Sequence, residues 1–194
     1  MLDNLNKYHI ILGSNSPRRR TLLAGLDITF EVRAMSDVDE SYPSSMNPEK
    51  VPLYVAEKKA AAFRSELKEN DLLITADTVV VLSSGEILGK PTDKEDATRM
   101  LSLLSENNHR VITGVCIVTQ MKTTKFSVVS SVRFSRLAAP DIAYYLEKYH
   151  PYDKAGSYGI QEWIGYIGVE SINGSFYNVM GLPVQRLYQE LKTF

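Results

Sequence analysis

The sequence predicts an α/β fold in which helices flank a mixed β-sheet. Short apolar runs typical of strands alternate along the chain with longer runs typical of helices. Two long strand-like runs, at 109–120 and 125–134, follow each other across a polar turn and predict a hairpin. Neither an internal repeat nor a low-complexity segment interrupts the 194 residues, and we expect a single domain over residues 1–194.

Composition and charge exclude several classes of protein. Hydrophobic residues make up 44% and charged residues 23% of the chain, as in ordinary soluble domains. The net charge of -1 provides no general attraction to nucleic acids or acidic membranes. Residues 1–9 lack the apolar centre of a signal peptide, and no apolar run approaches the roughly 20 residues that span a bilayer. The single cysteine, Cys116, excludes an internal disulfide and lies in a strand-like run, where we interpret it as a packing residue. We therefore expect a cytoplasmic protein with no nucleic-acid or membrane partner.

The first strand-to-helix turn covers residues 13–20. Ser16 can cap the short helix that follows, and Pro17 suits the first helical position. Arg18 and Arg19 add positive charge where the free N–H groups and the dipole of a helix already favour an anion. The turn is therefore either a polyphosphate cradle or an ordinary capped helix with solvated arginines.

Periodicity and breaker residues predict the remaining elements in order. The predicted strands cover 9–12, 28–32, 72–76 with an extended continuation over 79–82, 87–91 and 164–169. The predicted helices cover 21–25, 48–67, 93–104, 140–149 and 178–191. Amphipathic spacing in the third of these helices places Ala97, Met100, Leu101 and Leu104 on one buried face. Residues 152–161, which we call the glutamine loop, are punctuated by glycines.

Two polar side chains are expected at the carboxyl ends of strands, where ligands bind in open α/β sheets. Ser14 follows the first strand, and Asp77 follows the apolar run 72–76. At such an edge Asp77 can accept a proton from water or hold a divalent cation that bridges phosphates. The alternative is a strand-end aspartate that forms a turn with the backbone of Thr78.

Three further charged residues are candidates for the same site. Lys90 lies between a glycine and a proline that restrict its direction, and a fixed ammonium suits a phosphate group. Glu40 lies in the acidic loop 36–43, and Lys59 lies inside the second long helix beside Lys58. For Glu40 and Lys59 the alternative is an ordinary solvated side chain.

Gln161, in the glutamine loop, is the candidate for base recognition. Its amide offers one acceptor and two donors, which match the edge of a pyrimidine ring. A flipped amide would match cytosine, so Gln161 indicates a pyrimidine without excluding cytosine. The alternative is a glutamine on a surface loop.

Common catalytic motifs are missing from the sequence. The three histidines, His9, His109 and His150, share no metal-ligand spacing. Neither a Cys/His cluster, a nucleophile elbow nor a Walker-type glycine loop is present. Zinc sites, serine hydrolases and P-loop NTPases are therefore not the leading interpretations.

Six short motifs occur in a fixed order along the chain. They are SNSPRR at 14–19, ADTVV at 76–80, GKP at 89–91, HRVITG at 109–114, DKAGSYGIQ at 153–161 and GSFYNVMGLP at 174–183. Together they resemble the Maf family of nucleoside triphosphate pyrophosphatases, over residues 9–187. One departure is Glu162, at a position where family members commonly carry glycine.

The resemblance implies an activity: hydrolysis of a nucleoside triphosphate to the monophosphate and pyrophosphate with a divalent metal, Mg²⁺ or Mn²⁺. The branch that carries Gly-Ile-Gln is associated with dTTP and UTP. The alternatives are the same reaction on another base, such as CTP or methylated GTP, and a catalytically silent nucleotide-binding regulator of cell division. The implied fold is an elongated mixed sheet with two lobes around a central cleft, related to inosine triphosphate pyrophosphatases, and homodimers are common in the family.

The resemblance also implies roles for individual residues. Asp77 matches the proton acceptor, with Lys90 and Glu40 as further catalytic residues, and Asp77 and Glu40 are the expected metal ligands. The positions matched to substrate choice are Arg18, Thr78 and Gln161. The positions matched to binding of the phosphates in the pocket include Ser14, Arg19 and Lys59.

Overall fold

The computed structural model describes residues 2–34 and 38–194. This part of the chain forms one sheet of seven strands with seven flanking α-helices. The strands are β1 (His9–Gly13), β2 (Glu31–Arg33), β3 (Asp71–Leu82), β4 (Ile87–Leu88), β5 (Asn108–Val118), β6 (Thr123–Phe134) and β7 (Val169–Asn173). The helices are α1 (Pro17–Ala24), α2 (Val51–Phe63), α3 (Lys94–Leu104), α4 (Ala139–Tyr149), α5 (Trp163–Gly168), α6 (Phe176–Met180) and α7 (Val184–Leu191). Single 3-10 turns lie at Asp3–Leu5, Arg64–Glu66 and Ala155–Ser157.

The sheet is mixed, and the predicted α/β class is confirmed. Its strand order is β2-β1-β3-β5-β6-β7, and β4 pairs with β3 outside this path. β1 runs parallel to β2 and β3, whereas β4 is antiparallel to β3 and β7 is antiparallel to β6. Gly13, the last residue of β1, lies opposite Thr75 of β3. The turn after β1 therefore starts beside the stretch of β3 that leads to Asp77.

The chain divides into two compact units. Unit 1 comprises Met1–Asp77, Thr113–Val128 and Gly181–Phe194, and unit 2 comprises Thr78–Ile112 and Val129–Met180. Strands β3, β5 and β6 contribute residues to both units. The single domain over residues 1–194 and the cleft stay predictions. In the described part of the chain, no helix combines the length and the apolar character needed to cross a bilayer.

In unit 1, helix α2 packs against the sheet through small side chains. Ala56 and Ala60 of the helix join Ile11, Leu73 and Cys116 in one buried cluster. Burial raises the pKa of the Cys116 thiol to about 11, and the nearby Glu57 carboxylate adds to this effect. The interpretation of Cys116 as a packing residue is confirmed.

In unit 2, helices α3 and α4 cover the sheet. Ala97, Met100, Leu101 and Leu104 of α3 are all buried, as the amphipathic spacing predicts, and pack with residues that include Phe134. Asp93 caps α3, because its Oδ1 accepts the N–H of Asp96 at 2.8 Å. The hairpin of β5 and β6 is also confirmed, since the two strands are neighbours in the sheet.

Two predicted elements are wrong. Residues 164–169 form most of helix α5 rather than a strand, and β7 begins only at Val169. A run this short fits a turn of helix as well as an alternating strand, and Gly165 lies so close to Ile160 that a Cβ would stand 1.9 Å from its carbonyl oxygen. The predicted last helix, 178–191, is two helices, because Gly181 takes φ +117 and Pro183 follows it.

The other differences concern element ends. β2 is shorter than the predicted 28–32 run and begins at Glu31. Helix α2 begins at Val51 rather than at 48 and ends at Phe63 rather than at 67. A 3-10 turn at Arg64–Glu66 follows it. In the acidic loop 36–43, Ser36 and Asp37 lie outside the described residues.

Candidate active site

Short-range hydrogen bonds build the turn after β1. The N–H of Ser16 donates to Oγ of the buried Ser14 at 3.2 Å, and the N–H of Arg19 donates to Oγ of Ser16 at 3.4 Å. Ser16 is the N-cap of α1 and Pro17 occupies the first turn, both as predicted. Helix α1 therefore starts directly after β1, and its N-terminal N–H groups favour an anion there.

The Arg19 guanidinium is fixed in place beside other charged groups. Its Nε donates to the carbonyl oxygen of Gly181 at 2.8 Å. Burial lowers the pKa of Arg19 below its ordinary value and the charge of Arg18 adds to this, while the carboxylates of Asp77 and Glu40 oppose it. Arginine stays protonated in proteins in spite of such shifts. The Arg19 guanidinium thus lies within electrostatic range of Arg18, Asp77 and Glu40.

Lys59 joins the carboxylates of Asp77 and Glu40. Its Nζ lies 2.8 Å from Oδ1 of Asp77 and 3.0 Å from Oε1 of Glu40. The Lys59 side chain is 8% exposed, so its charge is largely removed from water. Ala56 lies one turn before Lys59, and its carbonyl accepts the hydroxyl of Thr75 at 2.7 Å. Thr75 and Asp77 lie on the same face of β3, and Ala56 and Lys59 lie on the same face of α2. Contact of Ala56 with Thr75 therefore places Lys59 beside Asp77.

Lys59 and Asp77 differ in how far their predicted surroundings match the structure. Lys59 is buried and paired, so it is not a solvated helical lysine. Asp77 lies inside β3, which continues to Leu82, so its expected place at a strand end is wrong. The apolar run after Thr78 extends the same strand instead of starting a new one. Asp77 is nevertheless accessible, with 16% of its side chain exposed.

The neighbouring Lys58 holds the same acidic loop. Its Nζ lies 2.8 Å from Oδ2 of Asp39 and 2.9 Å from the carbonyl oxygen of Ser41. The hydrogen bonds from Lys58 and Ser41 hold the pKa of Asp39 well below its usual range. Both residues that flank Glu40 are thereby tied to α2, which fixes the segment that carries Glu40.

The donor set around Lys59 fits a hard divalent cation. The carboxylates of Asp77 and Glu40 converge on one cationic atom. Mg²⁺ is commonly held by one or two carboxylates together with phosphate oxygens and water. Among residues 2–34 and 38–194, no group of three or more His, Cys, Asp and Glu side chains could hold a metal ion by itself. Substrate phosphates and water would therefore have to supply the other ligands.

In unit 2, the segment that carries Lys90 is joined to the glutamine loop. The N–H of Gly156 donates to the carbonyl oxygen of Gly89 at 3.0 Å. Gly156 takes φ +68, and a Cβ there would lie 2.9 Å from Val80 of β3. Thr78 lies two residues before Val80 and so shares its face of the strand. Thr78 and Lys90 therefore belong to segments that the glutamine loop contacts.

The segment around Lys90 is held in place, but not through restricted backbone angles at Gly89. A Cβ at Gly89 would meet no described atom within 4 Å, and Gly89 has no positive φ. The hydrogen bond through the Gly89 carbonyl and the buried Pro91 hold the segment instead. Lys90 itself is exposed.

Gln161 is half-buried at the end of the glutamine loop. Its amide oxygen, Oε1, is buried and accepts no hydrogen bond from the described residues, although buried polar atoms are normally paired. A Cβ at Gly159 would lie 3.0 Å from Nε2 of Gln161 and 2.8 Å from Cδ of Glu162. The glycine therefore makes room for both side chains.

Two residues of this arrangement escaped the sequence analysis. The carbonyl of Gly181 anchors Arg19. Its proximity to Pro183 in the last motif indicates a turn, which is the only sequence signal for this residue. The hydroxyl of Tyr145 donates to Oε2 of Glu162 and accepts the N–H of Gly159 at 3.0 Å. Tyr145 lies on the buried face of α4, where sequence alone indicates only packing.

Comparison with known proteins gives a consistent family. A model described as "Maf-like protein" matches residues 9–194. A protein of Parabacteroides distasonis named dTTP/UTP pyrophosphatase is 62% identical over 194 residues and covers 100% of both chains. Relatives with the same name from Porphyromonas gingivalis and Bacteroides fragilis are 61% and 54% identical, covering 100% and 99% of this chain and 98% and 99% of their own.

Likeness to solved structures is weaker. The crystal structure of a nucleoside-triphosphatase / dITP/XTP pyrophosphatase from Mycobacterium abscessus is 15% identical with a TM-score of 0.44, over 94% of this chain and 93% of its own. A likeness of that size supports no conclusion about function. The family match over almost the whole chain and the full-length relatives agree with the six motifs: the chain belongs to the family of Maf-like proteins.

Proposed function

We propose that this chain hydrolyses dTTP and UTP to the nucleoside monophosphate and pyrophosphate. The observation that carries the proposal is the Asp77–Lys59–Glu40 arrangement beside Arg19, in a chain 62% identical to a protein named dTTP/UTP pyrophosphatase. Cleavage between the α- and β-phosphates by water needs a proton acceptor and compensation of the charge that develops on the leaving pyrophosphate. The residues of unit 1 supply both functions.

Asp77 accepts the proton of the attacking water in this proposal. Lys59 orients the Asp77 carboxylate through the 2.8 Å contact with Oδ1 and leaves Oδ2 for the water or for a bound metal ion. Arg18 and Arg19 compensate phosphate charge, and forked guanidinium donors match phosphate oxygens. Ser14 and the N-terminus of α1 bind the phosphate chain beside them.

A divalent metal belongs to the proposal, with Asp77 and Glu40 as its ligands from the protein. Mg²⁺ or Mn²⁺ would neutralise phosphate charge and polarise the phosphoryl group when bound. Glu40 is suited to this role because Lys58 contacts the residues on both sides of it, Asp39 and Ser41, and Lys59 contacts its carboxylate. Glu40 remains half-exposed, with 49% of its side chain accessible.

In unit 2, three residues complete the assignment. Lys90 contributes a further positive charge for the leaving pyrophosphate. Gln161 recognises the pyrimidine edge: its amide oxygen accepts no hydrogen bond from the described residues and would accept the N3–H of uracil or thymine once the side chain turns toward the base. Thr78, together with Arg18, takes part in substrate choice, and the shared strand face of Thr78 and Val80 supports this role.

We further propose a cytoplasmic enzyme that forms a homodimer and binds neither membranes nor nucleic acid. The single buried thiol of Cys116 suits a reducing compartment. The net charge of -1 supports a small nucleotide rather than a nucleic acid as the ligand. The homodimer rests on the family resemblance, and light scattering in solution tests it.

The experiment that tests the proposal is pyrophosphate release from a panel of canonical and modified nucleoside triphosphates, with Mg²⁺, with Mn²⁺ and with a chelator. We expect release from dTTP, UTP and close analogues, and only with metal. Release from CTP or methylated GTP alone would keep the reaction and overturn the base assignment. Tight nucleotide binding without any release would favour a silent regulator instead.

A further inference from the structure

A partly buried ionic network links the start and the end of the glutamine loop. The Nζ of Lys154 lies 2.8 Å from Oδ1 of Asp153 and 3.2 Å from Oε1 of Glu162. The side chain of Lys154 is 9% exposed and that of Glu162 is 20% exposed. A single ammonium therefore joins the start of the loop to the residue that follows Gln161.

The second oxygen of Glu162 has a different partner. The hydroxyl of the fully buried Tyr145 donates to Oε2 of Glu162 and accepts the backbone N–H of Gly159 at 3.0 Å. Burial and the contact with Glu162 both raise the pKa of Tyr145, which keeps its hydroxyl protonated and able to donate. Helix α4 is thus connected to the loop by two hydrogen bonds through one hydroxyl.

The loop backbone requires such support. Ser157 takes φ +61, a left-handed conformation that is uncommon for residues other than glycine and persists where the surroundings hold it. The loop closes on a hydrogen bond from the N–H of Glu162 to the carbonyl of Gly159 at 2.9 Å. The side chains of Glu162 and Gln161 both pass close to Gly159, because a Cβ there would lie 2.8 Å from Cδ of Glu162 and 3.0 Å from Nε2 of Gln161.

We propose that Glu162 is a positioning residue for base selection: its carboxylate, held by Lys154 and Tyr145, fixes the loop so that Gln161 presents its amide in one orientation. This inference rests on the proposed function, because it assigns Gln161 to the base. A loop freed from Glu162 lets the amide flip, and a flipped amide matches the donor and acceptor pattern of cytosine. Glu162 acts through Gln161 and does not touch the reacting phosphate.

The test compares Glu162→Gln with the wild type. The variant keeps the size of the side chain, and Lys154 keeps Asp153 as its partner, so no buried charge is left unpaired. A second variant, Tyr145→Phe, removes the hydroxyl that contacts Glu162 and Gly159. The matched controls are Glu147→Gln on the exposed face of α4 and Tyr166→Phe at a ring that is 83% exposed.

We expect the ratio of kcat/KM for UTP to that for CTP to fall roughly tenfold in Glu162→Gln and in Tyr145→Phe, as for the loss of a hydrogen bond to a charged group. The kcat for UTP should change less than about threefold, because the phosphate-binding residues are untouched. Amide hydrogen exchange of residues 153–162 should become faster in both variants and stay at the wild-type rate in both controls.

Three results would overturn the inference. The first is an unchanged UTP/CTP ratio of kcat/KM together with unchanged hydrogen exchange in the loop. The second is an equal loss of kcat/KM for every nucleotide. The third is faster hydrogen exchange over the whole chain, which indicates a purely structural role. Failure of the proposed function looks different, since the wild type itself would then release no pyrophosphate. Loop exchange is measured without substrate and therefore reports on the network in either case.

Discussion

The ammonium group of Lys59 lies 2.8 Å from the carboxylate of Asp77, on the face where α2 packs against β3. The contact joins a buried lysine to the acid that we assign to proton transfer. Because adjacent residues on a helix point in different directions, the neighbouring Lys58 contacts the acidic loop and not Asp77. Lys59 therefore joins the acidic loop to Asp77, whereas Lys58 contacts the loop at Asp39 and Ser41.

Lys59→Met should lower kcat/KM for UTP at least tenfold, since Asp77 and Glu40 lose their shared cation and repel each other. Lys58→Met loosens the segment that carries Glu40 but leaves Asp77 and Glu40 paired with Lys59, so it should lower kcat/KM by less than Lys59→Met. Steady-state pyrophosphate release with both variants checks this. Equal losses in the two variants would contradict the assignment of Lys59.

Asp77→Asn should reduce kcat by roughly 10²–10⁴-fold, the usual contribution of a general base, with nucleotide binding largely kept. The amide still accepts a hydrogen bond from Lys59 but cannot accept a proton. Calorimetric titration with UTP and a chelator, beside turnover with metal, separates binding from chemistry. Asp27→Asn is the matched control, because Asp27 is exposed and its φ of +55 suits asparagine. Near-normal turnover of Asp77→Asn would remove Asp77 from its role.

His109 should make the fold sensitive to mild acid. Its Nε2 lies 2.7 Å from the hydroxyl of Tyr158, and burial lowers the pKa of His109 to about 4. The unfolded chain, with a histidine pKa of about 6.5, binds the proton first, so stability falls as the pH drops from about 6.5 toward 4. We expect this group to lower the free energy of unfolding by about 2 kcal/mol between pH 7 and pH 5.

Urea unfolding at the two pH values measures this effect. His109→Gln should remove most of the difference, whereas His150→Asn, at an exposed imidazole, should keep it. An unchanged pH dependence in His109→Gln would show that other groups cause it.

Gly114 should be intolerant of any side chain. A Cβ at this position would lie 2.3 Å from the backbone nitrogen of Leu53, at the start of α2, and backbone atoms cannot move aside cheaply. Gly114→Ala should therefore cost about 3 kcal/mol or more in the free energy of unfolding. Gly89→Ala meets open space and should keep the wild-type midpoint in thermal unfolding. Similar midpoints for the two variants would contradict the close approach of α2 to β5.

Local signals were sufficient for much of the fold. Ser16 and Pro17 specify the start of α1 through hydrogen bonds within a few residues, so the first turn is confirmed. Helix α5 was missed because its short apolar run fits either period, and its close approach to the Ile160 backbone is a tertiary contact. The break between α6 and α7 has a local signal, because Gly181 is followed two residues later by Pro183.

The site depended more on long-range contacts. Lys58 and Lys59 are equivalent in sequence, and only the distance to β3 distinguishes them. The apolar run before Asp77 indicates a strand end at this residue, whereas the strand continues to Leu82. The contact between Tyr145 and Glu162 joins α4 to the residue after the glutamine loop, and no local sequence pattern predicts it.

In the proposed reaction, water attacks the α-phosphorus of dTTP or UTP. The most direct test of this claim is a single turnover of UTP in ¹⁸O-labelled water with Mg²⁺, followed by mass spectrometry of both products. We expect one labelled oxygen in UMP and none in pyrophosphate. Label in pyrophosphate, or UDP and phosphate as the products, would contradict the claim.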